Sequence, residues 1–134
     1  KYSIVLALTS NPGSEDFEFT KDLNGSLLYE RVIEKFTQLA YSENIMFVCG
    51  ATHPQEFIKI RKICPEHFLL VPGVGEQGGV LKDTIESGKN SKGGLLITIS
   101  RKICYPSVEL DFKTEVQKSA MRFQTDSYNY FLGV

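Results

Sequence analysis

No apolar stretch in these 134 residues approaches the roughly 20 needed to span a bilayer. No signal peptide precedes the first strand, so a cytoplasmic protein without a membrane partner is expected. Charge of one sign is also missing: fifteen basic side chains stand against sixteen acidic ones. A net charge of −1 gives nucleic acid or an anionic membrane no global attraction, so any anion site must be local. Cysteine is scarce. Cys49, Cys64 and Cys104 are odd in number and widely spaced, with no Cys-x-x-Cys pair and no histidine at metal-ligand spacing. They read as reduced, mostly buried thiols, and no metal site is expected.

What the chain has is a repeated order. Ile4 to Leu8 is an apolar run of strand length closed by turn residues 9–13. Residues 26–40 then place Leu28, Val32, Phe36 and Leu39 at helical spacing. Ile45 to Cys49 begins a second unit, in which Thr52 to Gln55 form a candidate capping box before a helix with Phe57, Ile60 and Ile63 or Cys64 on its buried face. Phe68 to Val71 begins a third, with a short helix around Leu81, Thr84 and Ile85 that ends near Gly88. Leu95 to Ile99 begins the fourth, completed by a helix carrying Phe112, Val116, Ala120 and Phe123 on one face. Strands apolar throughout, each followed by a helix, predict an α/β fold, (βα)4, with parallel strands covered by helices. The order fits an open α/β sandwich or half of an eight-stranded barrel. One domain, 1–134, is expected. The first strand starts almost at Lys1, which reads as the middle of something larger.

In either architecture the functional side chains belong at the C-terminal ends of the strands, where Ser10, Thr52, Gln77 and Arg101 fall. Gly73, Gly75, Gly78 and Gly79 allow a sharp turn whose free N–H groups would face an anion. Arg101 follows the fourth strand directly, where its planar fork can grip two phosphate oxygens. Gln77, with both a donor and an acceptor, suits a bridge between phosphate and a heterocyclic base, or a solvated turn. Thr9, Ser10 and Asn11 either read a base edge or close a turn. His53 reads as a cap or surface residue, His67 as structural, and Asp111 with Lys113 as a solvated helix face.

Four segments in order, Leu6-Ala-Leu-Thr-Ser-Asn-Pro-Gly13, Val48-Cys-Gly-Ala-Thr-His-Pro54, Leu70-Val-Pro-Gly-Val-Gly-Glu-Gln-Gly-Gly79 and Leu95-Leu-Ile-Thr-Ile-Ser-Arg101, resemble the orotidine 5'-phosphate decarboxylase family in its longer bacterial-type branch. The resemblance implies a TIM (β/α)8 barrel with this chain as its C-terminal half. It implies decarboxylation of orotidine monophosphate (OMP) to UMP in pyrimidine nucleotide synthesis, without cofactor or metal. It also implies that Ser10 hydrogen-bonds the pyrimidine and Gln77 reaches base and phosphate. Arg101, with the backbone amides around Gly78, Gly79 and Ser100, would hold the phosphate.

The family's Asp-x-Lys-x-x-Asp motif is missing, since Asp111-Phe-Lys113 is followed by Val116 where the second Asp is required. No catalytic residue is therefore expected in this chain, which should bind but not turn over alone. Its expected partners are a nucleotide monophosphate and an N-terminal half-barrel or a second copy. Glu76, Val80 and Thr98 depart from the family pattern, and Glu76 is expected to face solvent, away from a phosphate. The alternatives are another phosphate-binding barrel enzyme, such as a sugar-phosphate epimerase or synthase, and a non-catalytic half-barrel module.

Overall fold

The computed structural model describes residues 1–133. Four strands, β1 (Ser3–Leu8), β2 (Ile45–Cys49), β3 (Leu69–Val71) and β4 (Leu95–Ile97), form one sheet in chain order. All three pairings are parallel, with Phe47 beside Leu69 and Leu69 beside Leu95. The helices are α1 (Ser14–Phe17), α2 (Leu28–Thr37), α3 (Phe57–Ile63), α4 (Leu81–Gly88), α5 (Arg101–Cys104) and α6 (Phe112–Leu132). The expected (βα)4 order is thus present.

Burial departs from the expected pattern. Ile45, Phe47, Cys49, Leu69 and Val71 point into the helical layer and are buried, together with Tyr29, Ile33, Phe57, Ile60 and Ile85 from the helices. Each large apolar side chain in that layer stabilises the fold by about 1.5–3 kcal/mol relative to exposure. The alternate residues, Ile4, Leu6, Met46, Val48, Leu70 and Leu96, line up in register across the opposite face. Ile4, Leu6 and Leu96 are 52, 62 and 48 % exposed. The strands are apolar on both faces because both are meant to be covered, and this chain covers one.

Three local expectations are corrected. The helix foreseen over 26–40 contracts to α2, where the Glu30 carboxylate accepts the Leu27 N–H at 2.9 Å, and α1 precedes it unforeseen. The capping box at Thr52 does not form: residues Pro54–Glu56 make a 3-10 turn without a side-chain cap, and the Thr52 hydroxyl instead donates to Ser10 O at 3.2 Å. On α6, Phe112 and Ala120 lie exposed, and Phe123, Tyr130 and Phe131 make the packing contacts.

Candidate functional site

The ladder continues past the ends of the strands. Gly50 N–H donates to Leu8 O at 2.8 Å, Ala51 N–H to Pro72 O at 2.9 Å and Thr98 N–H to Val71 O at 3.0 Å. These bonds hold the four loop origins side by side at one end of the sheet. Ser10 lies against the second of them: a Cβ on Gly50 would sit 2.6 Å from the Ser10 nitrogen, so only glycine permits that approach.

Two of the candidate residues, 67 positions apart, meet here. The Ser10 hydroxyl donates to Gln77 Oε1 at 2.6 Å. Accepting through its oxygen leaves the Gln77 amide nitrogen with both of its donors for another group. Gly73 lies beneath the pair at φ +96°, and a Cβ there would fall 2.8 Å from Gln77 Oε1 and 2.9 Å from Ser10 Cβ. The loop therefore needs glycine at 73 for both backbone and space.

Ser10 is positioned by a residue that sequence reasoning missed. Glu18, at the end of α1, accepts the Thr9 N–H at 2.7 Å and the Thr9 hydroxyl at 2.9 Å. Two charge-assisted bonds to the residue before Ser10 restrain its backbone. No local pattern marks Glu18, because its partner lies nine positions away in a loop.

In the Gly-rich segment 73–79 the amides of Gly75, Glu76, Gly78 and Gly79 bond within the loop, which narrows the expected row of free donors. Gly79 N–H donates to Gly73 O at 3.1 Å, Gly75 N–H to Gly79 O at 2.8 Å and Gly78 N–H to Gly75 O at 3.3 Å. Arg101 opens α5 immediately after Ser100, and its Nη1 lies 3.2 Å from Glu76 Oε1. Glu76 is solvent-exposed as expected, but its carboxylate is turned onto Arg101 rather than away from it. The Arg101 side chain is 71 % exposed, so most of its fork remains open.

A cleft of about 1010 Å³ lies beside this pair, bordered by Gly75, Glu76, Gly79, Arg101 and Lys102 and walled on its far side by α6. Ser10, Gln77, Gly78 and Ser100 are outside that lining. The structure thus forms two clusters at one end of the sheet, Ser10 with Gln77 and Arg101 with Glu76.

The remaining chemistry-bearing residues are structural in their contacts. Tyr29 donates to Glu56 at 2.5 Å and Lys59 to the same oxygen at 2.8 Å. Burial pushes the Glu56 carboxyl up, but those two bonds outweigh it and hold the group below its ordinary value. His53 lies 3.3 Å from the Ser14 hydroxyl and packs against Phe19 with the rings tilted by 57°. His67 packs against Phe47 with the rings tilted by 52°, and neither of its ring nitrogens is bonded. Cys49 and Cys64 are buried and Cys104 is exposed, in line with mostly buried thiols, and burial pushes the Cys64 thiol up to about 11. Asp111 and Lys113 are exposed, at the N-terminal end of α6. Among the described residues no three His, Cys, Asp or Glu side chains gather as a metal site, and no helix is long and apolar enough to cross a membrane.

No protein-family model matches the sequence. Curated proteins do. The chain is 48 % identical over 124 residues to orotidine 5'-phosphate decarboxylase of Phocaeicola vulgatus, covering 92 % of this chain and 46 % of that protein. It is 46 % identical over 124 residues to the enzyme of that name from Bacteroides fragilis, covering 92 % of this chain and 45 % of the relative. Among solved structures, UMP synthase of Leishmania donovani superposes with a TM-score of 0.76 at 31 % identity, over 93 % of this chain and 28 % of that one. The chain spans about half the length of the curated relatives it matches.

Proposed function

Because this chain belongs to the orotidine 5'-phosphate decarboxylase family, we propose that it supplies the phosphate- and pyrimidine-binding part of an enzyme converting OMP to UMP and CO2. The observation that carries this reading is the Ser10–Gln77 hydrogen bond of 2.6 Å, which ties the loop after β1 to the glycine-rich loop after β3. A bond between these two side chains lets one residue read the base while the other spans from base toward phosphate. Arg101, with the amides around Gly78, Gly79 and Ser100, receives the phosphate. Since Gly78 and Gly79 donate within their own loop, the phosphate exchanges with those internal acceptors when it binds.

Phosphate binding serves the chemistry at a distance. Contacts remote from the reacting carbon contribute binding energy that can be realised in the transition state, so this half affects turnover without touching the leaving carboxylate. No Asp-x-Lys-x-x-Asp segment occurs in the chain. The charged groups that act on the carboxylate and protonate the resulting carbanion therefore come from elsewhere, and this chain does not turn over alone.

The partner is a complementary half-barrel. Among the described residues β1 and β4 each have a free edge, and Ile4, Leu6 and Leu96 leave the second sheet face apolar and uncovered. A barrel removes both problems, since closure pairs the edges and fills the inner face with side chains of the opposite strands. A half supplied by the same polypeptide or by another chain satisfies the same physics. The reaction belongs to nucleotide synthesis in the cytoplasm, and neither a cofactor nor a metal enters it.

The test follows OMP consumption by absorbance, with the chain alone and then with the N-terminal half of a relative. Turnover only in the mixture is expected. Turnover by the chain alone would overturn the division of labour. Silence in both, with both halves folded, would favour a non-catalytic module instead.

A further inference from the structure

Glu76 and Arg101 make an ion pair at the position where the proposed function puts a phosphate. Four features of the pair bear on binding. The Glu76 carboxylate lies 3.2 Å from the arginine, on the same fork that a phosphate oxygen would use. It is carried by the glycine-rich loop itself, between Gly75 and Gly78, both at positive φ, +85° and +95°. Two of the loop amides that a phosphate would use already have internal acceptors, Gly79 N–H in Gly73 O and Gly78 N–H in Gly75 O, so an anion gains them only by exchange. Finally, the Lys102 side chain lies along Gly75, where an added Cβ would stand 2.7 Å from its Cδ, so a second cation flanks the same place.

Resting on the phosphate-site reading, we propose that Glu76 is an internal anion that occupies Arg101 until a phosphomonoester displaces it, and so sets how tightly this site binds its ligand. The physical basis is competition for one donor. A guanidinium has a planar fork that a carboxylate and a phosphate both match, and only one of them can lie along a given edge. Binding must break the Glu76 pair and then bring a dianion near the displaced carboxylate. Both costs are electrostatic and modest, because the side chains are 50 and 71 % exposed. Glu76 is thus a specificity-determining residue: it penalises ligands in proportion to their negative charge, while Lys102 offsets part of that penalty.

UMP and, separately, inorganic phosphate are titrated calorimetrically into the chain and into Glu76→Gln, Arg101→Ala and the double variant. Glu76→Ala is a second substitution in case the amide of glutamine still bonds Arg101. Glu76→Gln is expected to tighten UMP binding by about twofold to fivefold, the range for loss of one exposed competing charge. The gain should shrink as salt rises. In the Arg101→Ala background the Glu76 effect on affinity should shrink to the repulsion between carboxylate and ligand, because the competition for that side chain is gone. Equal UMP affinity in the wild type and both Glu76 variants would overturn the Glu76 proposal and leave the phosphate site standing. Absence of UMP and phosphate binding in every folded variant would overturn the phosphate-site reading, and this proposal with it.

Discussion

Arg61 and Arg101 are the same side chain put to opposite uses at opposite ends of one sheet. Arg61, on α3, donates to four backbone carbonyls: Gly88 O at 2.6 Å, His67 O at 2.7 Å, Gly94 O at 2.9 Å and Cys64 O at 3.4 Å. Burial pushes its guanidinium below the usual value. Arg101 makes one ion pair at the rim and leaves most of its donors to solvent. A saturated arginine fastens loops that would otherwise leave buried carbonyls unpaired, whereas an unsaturated one keeps its donors for a ligand. In this fold the N-terminal ends of the strands serve stability, and the proposed function puts binding at the C-terminal ends.

The largest effect is expected at Arg61. Arg61→Ala should lower unfolding stability by about 3 kcal/mol or more, because it removes charge-assisted bonds and strands several half-buried carbonyls. Urea denaturation measures it, and Arg61→Lys should recover only part, since an ammonium lacks the fork. A loss below about 1 kcal/mol would remove the basis of the contrast.

Glu56 extends the contrast to a carboxylate. It is 7 % exposed and bonded to Tyr29 and Lys59, so Glu56→Gln should cost about 1–2 kcal/mol at neutral pH. Its pKa is lowered in the folded state, so this stability is present above the ordinary carboxylate value of 4.5 and is lost as pH falls through the folded one. Urea midpoints of wild type and variant should therefore converge toward acid. Parallel curves down to pH 3 would show that the Glu56 charge contributes nothing.

Arg101→Ala should do the reverse of Arg61→Ala. Its unfolding free energy should stay within about 0.5 kcal/mol of wild type, as for most exposed pairs, while UMP affinity falls about tenfold or more. A stability loss comparable to that of Arg61→Ala would make the two arginines equivalent. The smallest effect is expected at His67, whose ring packs on Phe47 with both nitrogens unbonded. His67→Phe removes polar atoms that have no partner and should raise stability by about 0.5–1 kcal/mol, read as a higher Tm. A lower Tm would mean that the ring nitrogens are satisfied in solution.

The alternation of strands and helices, the parallel pairing and α4 ending at Gly88 were legible from local pattern, while the order of the strands in the sheet followed from the family resemblance and not from local pattern. The failures have a common cause. Thr52 has the residue type of a helix cap, but its hydroxyl reaches Ser10 O from a neighbouring loop. Arg61 drew no notice in the sequence, because its acceptors lie up to 33 residues away. Glu18 and Glu76 likewise acquired their roles from partners that chain order does not bring together.

The sequence by itself determined the α/β class, the rim at which chemistry would lie, and the glycine positions that a tight loop demands. Hydrophobic period and backbone φ are properties of a few consecutive residues. Only the tertiary structure decided that Ser10 bonds Gln77, that Glu76 occupies Arg101, and that one apolar face of the sheet is left uncovered. Each of these depends on which loops come to lie side by side, and that follows from the packing of the whole sheet.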